Sequence, residues 1–406
     1  MTHPQSITFR VGTHRIQSPE ETLEFVMPHM AAMGITRIAD VTGLDTISIP
    51  VVMVCRPNSR SVSVSQGKGC TLAAAKASGL MESVEGYHAE HISLPLRMAS
   101  VADMQKSDEI VTPDLLPTVE GSPFHSHYPI TWIEAENLMT GLGVWLPYEM
   151  VHTNYTLPYP SGSGCFPASS NGLASGNNMA EATVHGICEV IERDAISLWY
   201  RQDPQGIDQT SLDLNTVTSS LCLETLEKLD AAGQDTYVWD ITSDTRIPTY
   251  YSLIVDRGSG TRHIGIGSGT HLSREVALLR ALHEAVQVRT TYIVGARDDI
   301  APDEYTAQGL DNKRLFFEKL VQQSRFTGEY SQTLDVDSGS VEQDQETLLS
   351  CLQAVGISQT LRVDLRKPEF DIDVVRIVIP GLEAPHDDEG YVPGKRAIKM
   401  QEVCRT

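Results

Sequence analysis

The chain has 406 residues, of which 41% are hydrophobic and 21% charged, so it can bury a sizeable core as one large domain or as two or three intertwined lobes. Its formal net charge of −22 makes nucleic acid and anionic membranes poor partners, because an acidic surface repels polyanions. The acidic surplus either solvates the surface or turns partly inward to hold a divalent cation.

Targeting signals and cysteine usage point to a cytoplasmic protein. No apolar run approaches the roughly 18 residues that a membrane span needs. The N-terminal MTHPQSITFRVGTHRI lacks the basic start and apolar stretch of a secretory signal. The seven cysteines form no CxxC pair and are irregularly spaced, which favours reduced thiols over a zinc site or a disulfide framework.

The predicted elements alternate between helices and strands, as in one α/β unit with long connections. Residues 61–68, SVSVSQGK, alternate small polar residues with valine and end in a glycine turn, and a helix capped by Thr71 follows as far as residue 90. Before them, the pattern predicts a helix and two strands, over 19–34, 35–45 and 49–57.

The stretch 156–172, TLPYPSGSGCFPASSNG, is a long loop of a kind that is often functional. Its Cys165 is either a reactive thiol or, like most such cysteines, a small packing residue. The remaining elements are helices over 178–202 and 273–295, two or three strands within 237–267, an acidic loop at 331–348 and a buried strand at 373–381.

Three of the predicted helices carry polar residues at one shared spacing. The first and third use an i, i+4, i+7 pattern, and the second extends it to i, i+4, i+8, i+11. At about 100° per residue, the groups on each helix fall within a sector of roughly 60–80°. They are Ser78, Glu82 and Glu85 on the first helix, Glu181, His185, Glu189 and Glu192 on the second, and Arg280, Glu284 and Gln287 on the third.

These polar sectors lie beside the apolar stripe of each helix, not opposite it. Carboxylates on the rim of a buried face are partly desolvated, which is costly unless a cation or hydrogen-bond donors compensate. Two such rims that face each other make a magnesium site with oxygen ligands. The alternative is that the glutamates only add solubility, as an i, i+4 pair between Glu189 and Arg193 would.

A glycine-rich turn, Gln66-Gly67-Lys68-Gly69, precedes the first of these helices. The free N–H groups and the positive dipole end of a helix N-terminus favour an anion, and Lys68 adds a charge. The turn is not a Walker A motif, because GxxxxGK[ST] is absent. Alone it indicates a plain turn, whereas beside paired carboxylates it indicates a phosphate and magnesium site.

The same segments resemble the YcaO family at three ordered signatures, SQGKGCTLAAAKASGLMESVE, NMAEATVHGICEVIERDA and ALLRALHEAVQVR, and VVRIVIPGLE and GYVPGKRA are also family-like. The resemblance spans about 35–398. It implies an α/β (α+β) fold of mixed or antiparallel sheets, packed with helices that enclose an ATP–Mg²⁺ site. Residues 1–60 would be an N-terminal αβ segment integral to the fold, and 61–406 the catalytic domain.

The resemblance also implies roles, position by position. Nucleotide contacts would come from Lys68, Ser78, Asn177, Glu181, His185, Arg193 and Arg280, magnesium ligands would be Glu82, Glu85, Glu189 and Glu192, and the pocket would be completed by Glu284, Gln287 and Arg289.

Three positions depart from the family pattern or weaken an assignment. Gly86 stands where many relatives have arginine, and His185 where some have glutamine. His185 would either donate to phosphate or be a structural histidine. Arg289 lies about 140° around a regular helix from Glu284, which makes its role less secure.

YcaO enzymes phosphorylate a peptide amide oxygen so that a nucleophile can replace it, a reaction that needs metal and Arg or Lys to stabilise the transferring charge. A Cys, Ser or Thr side chain gives an azoline, sulfide a thioamide and an amine an amidine. The C-terminal KMQEVCRT lacks the proline-rich tail of azoline-forming members, and no fused leader-peptide-binding domain is expected. The compact form resembles TfuA-associated members, which implies thioamide formation with an external sulfur source and a TfuA-like partner.

Two alternatives stay open. One is an azoline- or amidine-forming enzyme of ribosomal peptide natural-product biosynthesis. The other is a non-catalytic YcaO-like scaffold that binds a peptide or a partner, although a degenerate copy would have lost several of the glutamates that this chain keeps. The resemblance further implies a peptide or protein substrate and a homodimer.

Overall fold

The computed structural model describes residues 5–257, 264–297, 299–388 and 390–403. Its helices are α1 (Pro19–Val26), α2 (Leu72–Glu90), α3 (Val101–Met104), α4 (Met179–Trp199), α5 (Pro204–Thr210), α6 (Ser220–Ala231), α7 (Arg274–Val294), α8 (Ala307–Gln322), α9 (Val341–Ala354) and α10 (Lys395–Val403). Its strands are β1 (Arg37–Asp40), β2 (Val51–Cys55), β3 (Val64–Lys68), β4 (Leu96–Ala99), β5 (Ile130–Asn137), β6 (Leu142–Pro147), β7 (Leu173–Gly176), β8 (Gln234–Asp240), β9 (Thr249–Asp256), β10 (Gly265–Thr270), β11 (Leu361–Asp364) and β12 (Asp373–Val378).

The strands form three sheets, and each pair within them is antiparallel. Two sheets have three strands each, in the orders β1-β2-β3 and β10-β9-β8. The third has the order β4-β5-β11-β12-β7, with β6 also beside β5. The predicted class of mixed or antiparallel sheets packed with helices is confirmed. The pairing of β2 with β3 crosses the expected division at residue 60.

The apolar core is divided among the helix–sheet contacts. One cluster joins α2 to the six-stranded sheet around Trp132, a second joins α7 to the two smaller sheets around Tyr250, and a third joins α4 to β12 and α9 around Ile187. No helix within the described residues is both long enough and apolar enough to cross a membrane.

The three helices with polar edges are confirmed, each within a few residues of its predicted ends. Thr71 caps α2 by accepting from the Ala74 N–H at 3.1 Å, and Asn178 caps α4 by accepting from Glu181 at 2.7 Å. Each of these helices lies on a sheet: α2 on β3, α4 on β7 and β12, and α7 on β10. Their polar edges are therefore fixed relative to the sheets.

The glycine turn predicted before α2 is wrong, because Gln66, Gly67 and Lys68 are the end of β3. A Cβ atom built on Gly67 would lie 2.0 Å from the Ala75 carbonyl oxygen and 2.3 Å from the Gly79 nitrogen. Glycine is needed here for close strand–helix packing, and the sequence signal for a turn came from the same residue type.

Two other predicted boundaries also differ. The helix predicted over 19–34 ends at Val26, because Pro28 follows and cannot continue the hydrogen-bond ladder, so a 3₁₀ turn takes over. The acidic stretch at 331–348 is a loop only in its first half, since Ser340 caps α9 by accepting from Gln343 at 3.3 Å. The strands predicted within 237–267 are β8, β9 and the start of β10, with residues 258–263 outside the described part.

The long loop predicted at 156–172 is confirmed. Glu149 holds it by accepting hydrogen bonds from the backbone N–H groups of Gly164, Cys165 and Phe166 at 2.5, 3.0 and 3.1 Å. Cys165 is fully buried, and burial raises the pKa of its thiol to about 11. It is therefore a packing residue, not a reactive thiol. Residues 404–406 of the C-terminal segment lie outside the described residues.

Candidate active site

The inner edges of α2, α4 and α7 meet in one polar cleft. Glu85 of α2 accepts from the backbone N–H of Ser175 at 2.8 Å and from its hydroxyl at 2.6 Å, at the end of β7. Glu192 of α4 accepts from the Ser268 hydroxyl of β10 at 2.7 Å. Two strands from different sheets thus hold glutamates of two helices in place.

Lys68 connects the third helix to this cleft. Its ammonium group lies 2.5 Å from a carboxylate oxygen of Glu284 on α7, and both side chains keep 22% of their area exposed. Arg193 stands on the other side, with its guanidinium 3.9 Å from Glu192. Glu284 can approach β10 because Gly267 and Gly269 leave no side chain between strand and helix.

The carboxylates act on one another electrostatically. Burial, together with the neighbouring charges of Glu82 and Glu189, raises the pKa of Glu85 to about 8 although the Ser175 hydrogen bonds oppose the shift. Burial also raises the pKa of Glu189 to about 7. Such shifts mean that the nearby cations do not compensate for the desolvation of these groups.

The shifts differ across the cluster. The pKa of Glu192 is raised, first by burial and then by Glu284, while Arg193 opposes both. The pKa of Glu284 is lowered, because Lys68 and Arg193 outweigh its burial. Glu82 stands at the open side of the cleft, where its side chain is exposed to water although protein surrounds the cleft. The Lys68 side is therefore neutralised and the Glu85 side is not.

The cluster fits a magnesium ion that is shared with a phosphate ligand. Within the described residues, no group of three or more His, Cys, Asp or Glu side chains forms a complete metal-binding set. Mg²⁺ is usually held by one or two carboxylates, with substrate phosphates and water supplying the other ligands. Close but uncompensated carboxylates are what such an ion would neutralise.

A separate small polar cavity lies near the N-terminal ends of α4 and α7. Its polar lining comes from both helices, the N-terminal segment, the loop after β10 and the start of α9, namely His14, Arg15, Glu181, His185, His271, Arg280 and Asp344. Glu181 and Glu192 are eleven residues apart on α4, which is about 16 Å along the axis. The cavity and the carboxylate cluster are therefore two ends of one polar track along α4.

Glu181 is fixed at the cavity by the N-terminal segment. It accepts from the Ile16 backbone N–H at 3.0 Å and from the Asn177 side chain at 2.9 Å, and Arg15 lies 3.3 Å away. Asn177 is itself held by Thr22 at 2.8 Å. Residues 14–16 therefore contribute to the cavity wall, which no motif in the sequence indicates.

His185 and Arg280 line the same cavity. No hydrogen-bond partner for the His185 Nδ1 atom is found in the described part of the chain. Burial and the charges of Arg280 and Arg15 hold the pKa of His185 well below its ordinary value, so the ring is neutral. Arg280 donates to the Thr270 carbonyl at 3.2 Å. A neutral histidine with a free ring nitrogen is suited to a ligand with matching polar groups.

The other assigned residues separate into two groups. Ser78 is exposed one turn before Glu82 on α2. Gln287 donates to Gln66 at 3.1 Å, so it supports β3. Arg289 faces elsewhere: it pairs with Asp45 at 2.9 Å and with Asp256 at 3.0 Å, and it is 5% exposed.

These contacts correct one assignment and explain one departure. Arg289 acts as an ion-pair residue between β9 and the segment before β2, so its predicted place in the pocket is not supported. At Gly86, where many relatives have arginine, a Cβ atom would lie 3.0 Å from the Arg56 guanidinium, so a side chain there would require Arg56 to shift. Sequence reasoning also missed Ser175 and Ser268, which lie on short strands without a distinctive pattern.

A family comparison identifies the fold. The family model for YcaO cyclodehydratases, described as ATP- and Mg²⁺-binding, matches residues 66–383. The chain belongs to the YcaO family. The expectation of ATP and Mg²⁺ as cofactors is confirmed at the level of this family.

Two relatives cover nearly the whole chain. A protein in the tfuA 3′ region of Rhizobium leguminosarum bv. trifolii is 32% identical over 393 residues, 95% of this chain and 92% of that protein. A protein of Methanothermobacter thermautotrophicus is 34% identical over 390 residues, 94% of this chain and 95% of its own length.

Solved structures share the fold. The YcaO protein of Methanopyrus kandleri, bound with AMPPCP and Mg²⁺, has a TM-score of 0.75 at 24% identity and covers 97% of this chain and 99% of that one. A heterocyclase in complex with substrate and cofactor has a TM-score of 0.78 at 21% identity over 95% of this chain. The chain spans about half of that heterocyclase, 54% of its length.

Proposed function

We propose that this YcaO protein uses ATP and Mg²⁺ to phosphorylate the oxygen of a peptide backbone amide, and that an external sulfur nucleophile then replaces that oxygen to give a thioamide. The observation that carries the proposal is the cluster of uncompensated carboxylates from α2 and α4. Phosphoryl transfer demands charge stabilisation more than covalent chemistry, and such a cluster supplies it through bound metal.

In this proposal, different groups of residues bind the two ends of the nucleotide. Glu82, Glu85, Glu189 and Glu192 would surround the Mg²⁺ site, with one or two of them bound to the ion and phosphate oxygens completing its ligands. The ion neutralises phosphate charge when bound. Lys68 and Arg193 would contact the phosphates, with Glu284 keeping Lys68 in position. Glu181, His185 and Arg280 would contact the other end of the nucleotide, in the cavity that they line. The length of α4 between the two ends, about 16 Å, suits an extended ligand.

The reaction balances without a redox partner. Hydrosulfide adds to the amide carbon, and the former carbonyl oxygen takes the terminal phosphoryl group of ATP, so that ADP leaves. The C–O bond then breaks as C=S forms, and inorganic phosphate leaves with the original oxygen. Peptide, ATP and hydrosulfide thus give thioamide peptide, ADP and phosphate, with no net oxidation.

Sulfur is favoured as the nucleophile by gene context. The Rhizobium relative, which matches almost end to end, is encoded in the tfuA 3′ region. We therefore propose a TfuA-like partner that delivers sulfur, and a homodimer as the working form. The competing product is an azoline, since the family model is described as that of cyclodehydratases.

Nucleotide binding is the first test. Titration of the purified protein with AMPPCP and Mg²⁺, followed by calorimetry, should give saturable binding that Glu85→Gln weakens by at least about tenfold. Glu227→Gln is a matched control, because Glu227 is an exposed helix glutamate on α6. If wild type does not bind, or if the two variants bind equally well, the catalytic proposal fails and the scaffold alternative is favoured.

Product mass is the second test. The protein is incubated with candidate peptides, ATP, Mg²⁺ and sulfide, with and without a TfuA-like protein, and the peptide is weighed. Exchange of one oxygen for sulfur supports thioamidation, whereas loss of one water shows cyclodehydration. Phosphate release without a change of peptide mass in any mixture contradicts both.

A further inference from the structure

A second set of buried polar groups lies beside the carboxylate cluster and takes no part in the nucleotide track. Arg376 of β12 is only 3% exposed, and its Nη2 atom donates to the Ser169 carbonyl at 2.8 Å. Its Nε and Nη1 atoms are buried, and the described residues offer neither of them a partner. Burying an unpaired guanidinium lowers the free energy of unfolding. A ligand that accepts hydrogen bonds from these two nitrogens would offset that loss.

Two acceptors share this condition. The Oδ1 atom of Asn171, in the loop before β7, and the Oδ2 atom of Asp388, in the loop after β12, are buried and lack a hydrogen bond to any residue that the structure describes. Asp388 is close enough for its charge to act on Arg376. Asn171 lies between Ser169, which accepts from Arg376, and Leu173, which pairs with Arg376 across β7 and β12, so unpaired donors and acceptors from three segments lie in one region.

Glu189 connects this region to the proposed metal site. Its carboxylate is close enough to Arg376 for each charge to act on the other. Glu192, one turn further on α4, contacts Ser268 on the opposite sheet instead. Arg376 thus lies on the β7–β12 side of the carboxylates, whereas Lys68 and Glu284 lie on the β3–β10 side.

We infer that Arg376, with Asn171 and Asp388, forms the acceptor half of the active site and binds the peptide amide whose oxygen is phosphorylated. A peptide offers carbonyl oxygens to the free Nε and Nη1 donors, and it offers N–H groups to the two free acceptors. A phosphate offers only acceptors at neutral pH, and Asp388 would repel it. The inference rests on the proposed function, because it assigns the substrate side of the same site.

The test uses the full chain saturated with AMPPCP and Mg²⁺, and a capped diglycine, N-acetylglycylglycine N-methylamide, as the peptide probe. Saturation-transfer NMR measures binding of the probe. We expect Arg376→Met to weaken it roughly tenfold or more, and Arg376→Lys to restore part of it, because the charge returns without the fork of donors. Asp388→Ala, a change in a loop outside helices and strands, should weaken it several-fold.

Two controls separate this role from others. Arg362→Met changes an arginine of the adjacent strand β11 that pairs with Glu136 at 2.6 Å, and it should leave probe binding unchanged. Affinities for AMPPCP and for ADP, each with Mg²⁺, should change by the same factor in Arg376→Met, because both nucleotides would use the metal ligand Glu189, on which Arg376 acts.

Several results would overturn the inference. One is a selective loss of AMPPCP affinity with ADP affinity kept, which would assign Arg376 to the terminal phosphate. Others are a wild-type protein that binds nucleotide but not the probe, or equal probe binding in wild type, Arg376→Met and Asp388→Ala. Failure of the wild type to bind AMPPCP at all would count against the proposed function instead.

Discussion

Two glutamates in the C-terminal half of helix α2, Glu85 and Glu90, are in opposite electrostatic states. Glu90, at the C-terminal end, is 3% exposed, and Arg56 donates to its two oxygens at 2.5 and 2.7 Å. Ser59 and Ser61 add further hydrogen bonds at 2.8 and 2.5 Å. Burial alone would raise the pKa of Glu90, but these donors lower it.

Glu85, little more than one turn earlier, receives hydrogen bonds only from Ser175 among the described contacts. Burial raises the pKa of Glu85 to about 8. The saturated carboxylate stabilises the fold, because its charge is compensated by residues that fold with it. The buried Glu85 carboxylate instead lowers the stability of the ligand-free protein. Such destabilising groups persist at sites where a ligand compensates their charge.

The largest expected effect comes from neutralising Glu90, the carboxylate whose charge is fully compensated by hydrogen-bond donors. Glu90→Gln leaves the Arg56 guanidinium buried beside a neutral group, and we expect the free energy of unfolding to fall by about 3 kcal/mol. Urea unfolding followed by circular dichroism measures it. Glu85→Gln is the paired variant and should cost nothing or stabilise the protein. Equal losses of stability in the two variants would show that Glu85 and Glu90 do not differ in electrostatic state.

A second prediction concerns Ser175, the one residue in the described part of the chain whose side chain donates to Glu85. Removing the hydroxyl in Ser175→Ala should weaken binding of AMPPCP with Mg²⁺ about tenfold, because supporting residues orient carboxylate ligands. Calorimetric titration measures this. Ser252→Ala is the control, since Ser252 is equally buried but donates to the Ala281 carbonyl at 2.8 Å instead. Matching affinities for the two serine variants would contradict the role of Ser175.

A third prediction follows from the raised pKa values. Burial raises the pKa of Glu189 from 4.5 to about 7 and that of Glu85 from 4.5 to about 8. Between pH 4.5 and 8 these two groups bind more protons in the folded protein than in the unfolded chain, so their contribution to the stability of the ligand-free protein should decrease as pH rises. Charged carboxylates bind the metal, so affinity for AMPPCP with Mg²⁺ should rise from pH 6 to 8, by about tenfold per unit for each proton released.

Calorimetry in two buffers with different ionisation enthalpies gives the number of protons released at pH 7. Glu85→Gln should release fewer than wild type, and Glu227→Gln the same number. Binding without proton release would mean that the cleft carboxylates are already ionised. Glu85 and Glu90 would then differ only in their hydrogen bonds and not in their charge.

The sequence was informative where a pattern repeats along one helix. The shared spacing on α2, α4 and α7 predicted which glutamates lie on one side, because helical periodicity fixes the angular position of a residue whatever the tertiary structure. It did not predict Ser175 or Ser268, since their role depends on strands of two sheets reaching two helices. Gly67 misled for a physical reason: glycine serves turns and close packing alike, and only tertiary structure distinguishes them.

Arg289 shows that a match to a family signature does not by itself locate a side chain. It matched a family signature, but the rotation of about 140° from Glu284 points it toward Asp45 and Asp256. Arg376 is the converse case. Nothing in its strand marks it as different from a structural arginine, and only the lack of partners for two of its nitrogens within the described residues does so.

The smallest expected effect concerns the Lys68–Glu284 pair, which belongs to the cleft but is compensated. Both side chains are partly exposed, so water screens the pair, and Lys68→Met should change the free energy of unfolding by no more than about 1 kcal/mol. The same variant should weaken binding of AMPPCP more than binding of ADP, because Lys68 is proposed to contact the phosphates. Urea unfolding and paired titrations measure the two effects. A loss of stability as large as that of Glu90→Gln would place Lys68 with the saturated, structural ion pairs, and the cleft would then have a charge pair whose main role is folding.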